Sequence, residues 1–172
     1  MTFEEYVAAR GPVLLRLAYV LCGDGHLAED LVQEVLLRVH GRWRRVASLD
    51  HPEAYVKRML VNEYLSWRRR LSNTEVPRQA DGPEPEAHMD ACEGVVARDA
   101  GWSLLATLPR RQRAVLVLRF YEDLSDQQIA EVLGCATATV RSQAARALAA
   151  LRTSPQLGTL LTVRTPNLAK EA

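Results

Sequence analysis

The chain has 172 residues, 48% hydrophobic and 25% charged, which is the composition of an ordinary soluble protein with one domain or two small ones. Its 22 Lys and Arg against 21 Asp and Glu leave a formal net charge of +1, so any field that attracts nucleic acid has to come from local segregation of charge. No run of about 18 apolar residues offers a membrane span, and Glu4 and Glu5 speak against a secretory leader, so the expected address is the cytoplasm.

Phe3 to Leu21 carries Phe3, Tyr6, Val7, Val13, Leu14, Leu17, Ala18 and Leu21 at helical intervals, with a kink or fresh start expected at Gly11-Pro12. Gly23-Asp24-Gly25 breaks the helix. A long amphipathic helix is expected from His26 to Val46, with Leu27, Leu31, Val35, Leu36 and Val39 inward. Asp30, Gln33 and Glu34 then share one exposed strip, which spacing alone reads as a solvated helix face. Ser48-Leu49-Asp50-His51-Pro52 is a turn, with Ser48 or Asp50 available as a cap and Pro52 suited to a first helical turn.

The next helix, Glu53 to Leu71, is expected to bury Ala54, Tyr55, Met59, Leu60 and Leu65. It sets Lys57, Arg58, Arg68, Arg69 and Arg70 among Tyr55, Tyr64 and Trp67. A positive groove with aromatic surfaces holds unpaired bases, so this helix and the loop before it could take single-stranded DNA. The alternative is that the aromatics are core and the Arg run favours a helix C-terminus.

Ser72 to Arg98 changes character, with Pro77, Pro83 and Pro85 among Asp81, Glu84, Glu86, Asp90 and Glu93, and reads as a flexible linker. Cys22, Cys92 and Cys135 are odd in number and far apart, which fits a reducing compartment. Cys22 and Cys135 read as small core residues. His88 and Cys92 have metal-ligand spacing but nothing near them in sequence completes a site, so no metal and no cofactor is expected.

A second domain begins near Asp99, with a helix from Trp102 to about Thr107. Pro109 starts another, whose Val115, Leu116, Leu118 and Phe120 are expected to pack beneath the last two helices of the chain. Leu124 to Arg152 is the clearest signal in the chain. Ser125 and Gln128 form a Ser-x-x-Gln capping box, Ile129, Ala130, Val132 and Leu133 point inward, and Gly134 stops the helix. A second helix after a short turn buries Val140, Ala144, Ala147, Leu148 and Leu151 and shows Thr137, Arg141, Ser142, Ala145 and Arg146. Two short helices across a Gly turn suit a helix-turn-helix whose second helix enters a major groove, although an ordinary helical hairpin with a basic face has the same pattern. After Arg152 the tail shows no long period.

AEDLVQEVLLRV, from Ala28, followed by PEAYVKRMLVNEYLSWRRR, from Pro52, resembles region 2 of the extracytoplasmic-function (ECF) sigma factors within the sigma-70 family, most of all an actinobacterial SigE-like subgroup. LPRRQRAVLVLRFYEDLSDQQIAEVLGCATATVRSQAARALAALR, from Leu108, is similar to their region 4. The resemblance implies an all-α protein of two small helical domains, a region 2 bundle and a region 4 helix-turn-helix, joined by a flexible linker. The expected division is 1–71, a linker 72–98, 99–153 and a tail 154–172.

It further implies a promoter-specificity subunit without catalytic residues. Asp30, Gln33 and Glu34 would dock on core RNA polymerase, whose β′ clamp helices and β flap are the implied contacts. Asp50, His51, Arg58, Asn62, Trp67 and Arg68 would read and hold the melted −10 element. Thr137, Thr139, Arg141, Ser142 and Arg146 would read the −35 element, with Arg119 on phosphate. The chain would be a monomer when free, with no membrane partner and with room for an anti-sigma factor. Ala136 stands where many relatives have Ser or Pro, Ala138 where they have Gly, and Gln143 where they have Arg. Losing a hydroxyl at Ala136 is expected to move the helix start to Thr137.

A stand-alone regulator, dimeric on a palindromic operator, is the competing reading. An enzyme ranks below both, because no nucleophile with a base, carboxylate pair or phosphate loop stands out. The free chain is expected to bind duplex promoter poorly, because a flexible linker leaves its two sites badly placed relative to each other.

Overall fold

The computed structural model describes residues 1–72 and 96–155, and its regular elements there are eight α-helices. Residues 73–95 and the tail beyond 155 lie outside the described residues, and with them most of the expected linker, His88 and Cys92.

Helix α1 (Phe3–Cys22) opens on a closed capping box. The Glu5 N–H donates to Thr2 Oγ1 at 3.2 Å and the Thr2 N–H donates to Glu5 Oε2 at 2.8 Å. The fresh start expected as one outcome at Gly11-Pro12 does not occur, and Pro12 lies exposed inside a continuous helix. An interior Pro costs about 3 kcal/mol, but the buried face of Tyr6, Leu14, Leu17, Ala18 and Leu21 runs on across it. Each large apolar side chain of that face contributes about 1.5–3 kcal/mol, which offsets the lost hydrogen bond.

Asp24 accepts from the Leu27 N–H at 2.9 Å and starts α2 (Gly25–His40). The single helix expected to reach Val46 instead breaks at Gly41 and resumes as α3 (Trp43–Ala47). Gly41 is a weak helical position, and the break lets Trp43 pack against Phe3 and Tyr6, with ring centroids 5.6 and 5.0 Å apart.

Helix α4 (Pro52–Ser72) buries Val56, Leu60, Val61 and Tyr64. This face is rotated from the expected one: Ala54 and Tyr55 are exposed, and Met59 and Leu65 are half-buried. The rotation comes from packing on two sides, against α1 and α2 on one and against the later helices on the other. Ser48 does not cap α4. Its hydroxyl donates to the Arg45 carbonyl and closes α3.

The second group begins with α5 (Val96–Ala106), which starts ahead of the expected Trp102, and continues with α6 (Arg110–Phe120). Ala114 to Leu118 are all buried, so the middle of α6 is covered on every side as it runs through the molecule, touching α1, α4, α7 and α8. Phe120 is 67% exposed instead of packing beneath the last two helices, because it ends α6 where the chain turns away at Tyr121. Asp123 in that turn takes φ 53°, a left-handed conformation uncommon outside Gly.

The capping box at Ser125 is present as expected, and α7 (Asp126–Leu133) ends at Gly134 with φ 62°. Helix α8 (Thr137–Arg152) starts at Thr137 with Ala136 as an N-cap that supplies no side-chain bond.

The buried residues of the two groups form one continuous core. Arg113 joins them while only 1% exposed. Its Nε donates to the Leu105 carbonyl at 2.9 Å, Nη2 to those of Ala106 and Leu108 at 3.1 and 3.2 Å, and Nη1 to that of Leu21 at 3.1 Å. A buried guanidinium is costly unless its donors are satisfied. This one is held at the C-terminal ends of α1 and α5, where the helix dipoles are negative.

Candidate nucleic-acid interface

Helix α2 places Asp30, Gln33 and Glu34 on one strip, as the spacing requires. Asp30 and Gln33 are exposed, whereas Glu34 is half-buried and accepts from Arg38, with Nη2 at 2.7 Å. Arg38 also reaches across to Glu63 of α4, Nη1 to Oε2 at 2.7 Å, and so accounts for a carboxylate only 5% exposed. The strip continues one turn to Leu37, which is 70% exposed. Nothing in the sequence marks Leu37 as part of a surface, because a Leu among other apolar residues signals core.

The residues expected at the −10 element do not form a single surface. Asp50, His51 and Arg58 lie at a cleft of about 610 Å³ whose far wall is Leu118, Glu122 and Gln128 of the second group. Arg58 and Asn62 are exposed one turn apart. Trp67 lies nine residues beyond Arg58, two and a half turns, and so on the opposite face of α4. There Arg110 covers it: the guanidinium sits 4.8 Å from the Tyr64 ring and 5.2 Å from the Trp67 ring, and Nη1 donates to the Tyr64 carbonyl at 2.9 Å. Lys57 makes a second link between the groups, with Nζ 2.6 Å from Glu122 and 3.1 Å from Glu53. The Arg68 side chain lies outside the described residues.

On α8, Thr139, Arg141, Ser142 and Arg146 are exposed and Thr137 is half-buried at the edge of the packed face. Between them Ala138 and Ala145 are also exposed, so the middle of this surface is small and lets a groove approach the helix backbone. Arg119, expected on phosphate, is held by Asp126, the first residue of α7. The other Asp126 oxygen accepts from Arg141 Nε at 3.2 Å. Burial works against the Asp126 charge, but the hydrogen bonds and charges of Arg119 and Arg141 prevail and hold its carboxyl below the usual carboxylate value. Sequence spacing gave no sign of Asp126, because it is neither on the recognition helix nor within a turn of either Arg.

Among the described residues, no three His, Cys, Asp or Glu side chains group as a metal site would need, and no helix is long and apolar enough to cross a membrane.

A helix-turn-helix packed on a second helical bundle, with basic and hydroxyl side chains open on α8, defines a helical protein of the DNA-binding class. Residues 6–74 match the Sigma-70 region 2 family and residues 102–151 match Sigma-70, region 4. The chain is 39% identical over 153 residues to the RNA polymerase sigma-E factor of Streptomyces coelicolor, covering 88% of this chain and 85% of that protein. It is 32% identical over 161 residues to the ECF RNA polymerase sigma factor SigL of Mycobacterium tuberculosis, covering 90% and 86%.

Among solved structures, the sigma factor RpoE in complex with the anti-sigma factor NepR from Bartonella quintana is similar with a TM-score of 0.63 at 24% identity, over 95% of this chain and 98% of that one. CnrH in complex with the cytosolic domain of CnrY is similar with a TM-score of 0.59 at 22% identity, over 95% and 89%. These two show the fold. The chain belongs to the sigma-70 family of RNA polymerase sigma factors, in its ECF branch, and acts in promoter-specific initiation of transcription.

Proposed function

We propose that the chain docks on core polymerase through Asp30, Gln33 and Glu34 of α2 and reads the −35 duplex with Thr137, Thr139, Arg141, Ser142 and Arg146. Arg119 adds a phosphate contact. Asp50, His51, Arg58, Asn62, Trp67 and Arg68 read and hold the melted −10 strand. The observation that supports this reading is the pair of strips on separate helices, Asp30 and Gln33 open to solvent on α2 and Thr139, Arg141, Ser142 and Arg146 open on α8. The protein carries out no chemistry of its own, works in the cytoplasm as a monomer until it meets polymerase, and divides into units 1–71 and 99–153. An anti-sigma factor is a further partner, in keeping with the structural neighbour solved in complex with the anti-sigma factor NepR.

The free chain binds promoter poorly. Packing of α4 against α6 and α7 supports this, because it leaves Trp67 under Arg110 and holds the two groups together. To engage both promoter elements the groups have to part.

Run-off transcription from a promoter library, with core polymerase and with or without this chain, tests the reading. Transcripts that need the chain, and vanish with Asp30→Ala and Gln33→Ala together, are expected. A chain that gives no transcripts and does not co-elute with core, but dimerises on a palindromic duplex, would be a stand-alone regulator instead.

A further inference from the structure

We infer that Asp126 sets how Arg141 reads the −35 duplex, as a positioning residue that acts through the guanidinium and not on DNA; this rests on the reading of α8 proposed above. Asp126 sits on the supporting helix α7, with one oxygen on Arg119 and the other on Arg141 Nε. Arg141 is otherwise open, its side chain 73% exposed. A free guanidinium can meet guanine O6 and N7 through its Nη1–Nη2 end or through its Nε edge. With Nε turned to Asp126, only the end is left for the base, and the side chain enters the groove in one orientation.

The same carboxylate lowers the charge that faces phosphate. Asp126 with Arg119 and Arg141 makes a cluster of net charge +1, and without the carboxylate that charge rises to +2, which strengthens attraction to phosphate of any sequence. The native arrangement therefore trades sequence-independent attraction for discrimination. Asp126 is suited to this position because a carboxylate in the first turn of a helix also meets the positive end of the dipole.

The test uses the full chain bound to core polymerase, challenged with a duplex library randomised over the −35 element. Arg141→Ala identifies the base position that Arg141 reads, because the preference there flattens. Asp126→Asn is expected to lower discrimination at that same position about tenfold, to retain more DNA of scrambled sequence and to steepen the salt dependence of binding. Asp126→Glu restores part of the preference. In the Arg141→Ala background, Asp126→Asn changes no further preference.

A flattened position with Arg141→Ala but an unchanged one with Asp126→Asn overturns this inference and leaves the reading of α8 standing. An equal loss of binding to all sequences, with or without Arg141, also overturns it, because Asp126 would then only support the fold. Arg141→Ala that flattens no position removes the reading of α8 and this inference with it.

Discussion

One methyl group at Gly23 tests whether the two helical groups hold together in solution. Gly23 ends α1 with φ 72°, and a Cβ built there falls inside the Trp102 indole of α5. Gly23→Ala therefore has to expel Trp102 as well as strain the backbone. The left-handed conformation costs an L-residue about 1 kcal/mol. Loss of the half-buried ring, together with its contact to the Arg113 guanidinium at 5.6 Å, costs about 3 kcal/mol, the lower end for Trp→Ala. Gly23→Ala should then destabilise by about 4 kcal/mol and Trp102→Ala by about 3 kcal/mol. The double variant should also cost about 4 kcal/mol, because the ring can be lost only once. A double-mutant cycle from urea denaturation reads this as a coupling of about 3 kcal/mol, against about 0.5 kcal/mol or less for independent sites. Additive costs, with Gly23→Ala near 1 kcal/mol, would refute the closed packing of α1 against α5.

Ala136→Ser supplies the hydroxyl that the N-cap of α8 lacks, and should raise the urea midpoint by an amount equivalent to about 0.5–1 kcal/mol without altering promoter choice. Alkaline pH should act through Cys22, whose thiol burial pushes up from 9.0 to about 11. The folded chain keeps a proton there that the unfolded chain loses, so stability falls as pH rises between those values, by about 2–3 kcal/mol at most. Comparing wild type with Cys22→Ala separates this loss from that of Tyr6, which its own burial raises to about 12. Parallel pH profiles for the two proteins would rule it out.

What could be read from the sequence was local. The Ser125 capping box, the stop at Gly134 and the helix start at Thr137 depend on residues within one turn of each other, and all three are present. The open strip on α8 comes from helical period alone. Helix α4 was harder because it packs on two sides, and a single apolar stripe gives the wrong face when a second bundle covers the helix from beyond the linker. Pairings such as Arg38 with Glu63, Lys57 with Glu122 and Arg113 with Leu21 span long stretches of chain, and no spacing rule reaches them. Phe120 was misplaced for the opposite reason, since its apolar character hid the fact that its helix had ended.

The guanidinium over Tyr64 and Trp67 makes the closed chain its own competitor. Under the −10 reading proposed above, a base that stacks on Trp67 meets a ring already occupied by a cation tethered within the same molecule, so binding there is an exchange and not the filling of an empty site. The apparent affinity for single-stranded DNA is then the intrinsic affinity multiplied by the fraction of molecules in which Arg110 has left. Each further 1.4 kcal/mol of closure weakens that affinity about tenfold with no change in any base contact. Polymerase need not improve those contacts to strengthen promoter binding, because holding the two groups apart raises the open fraction by itself.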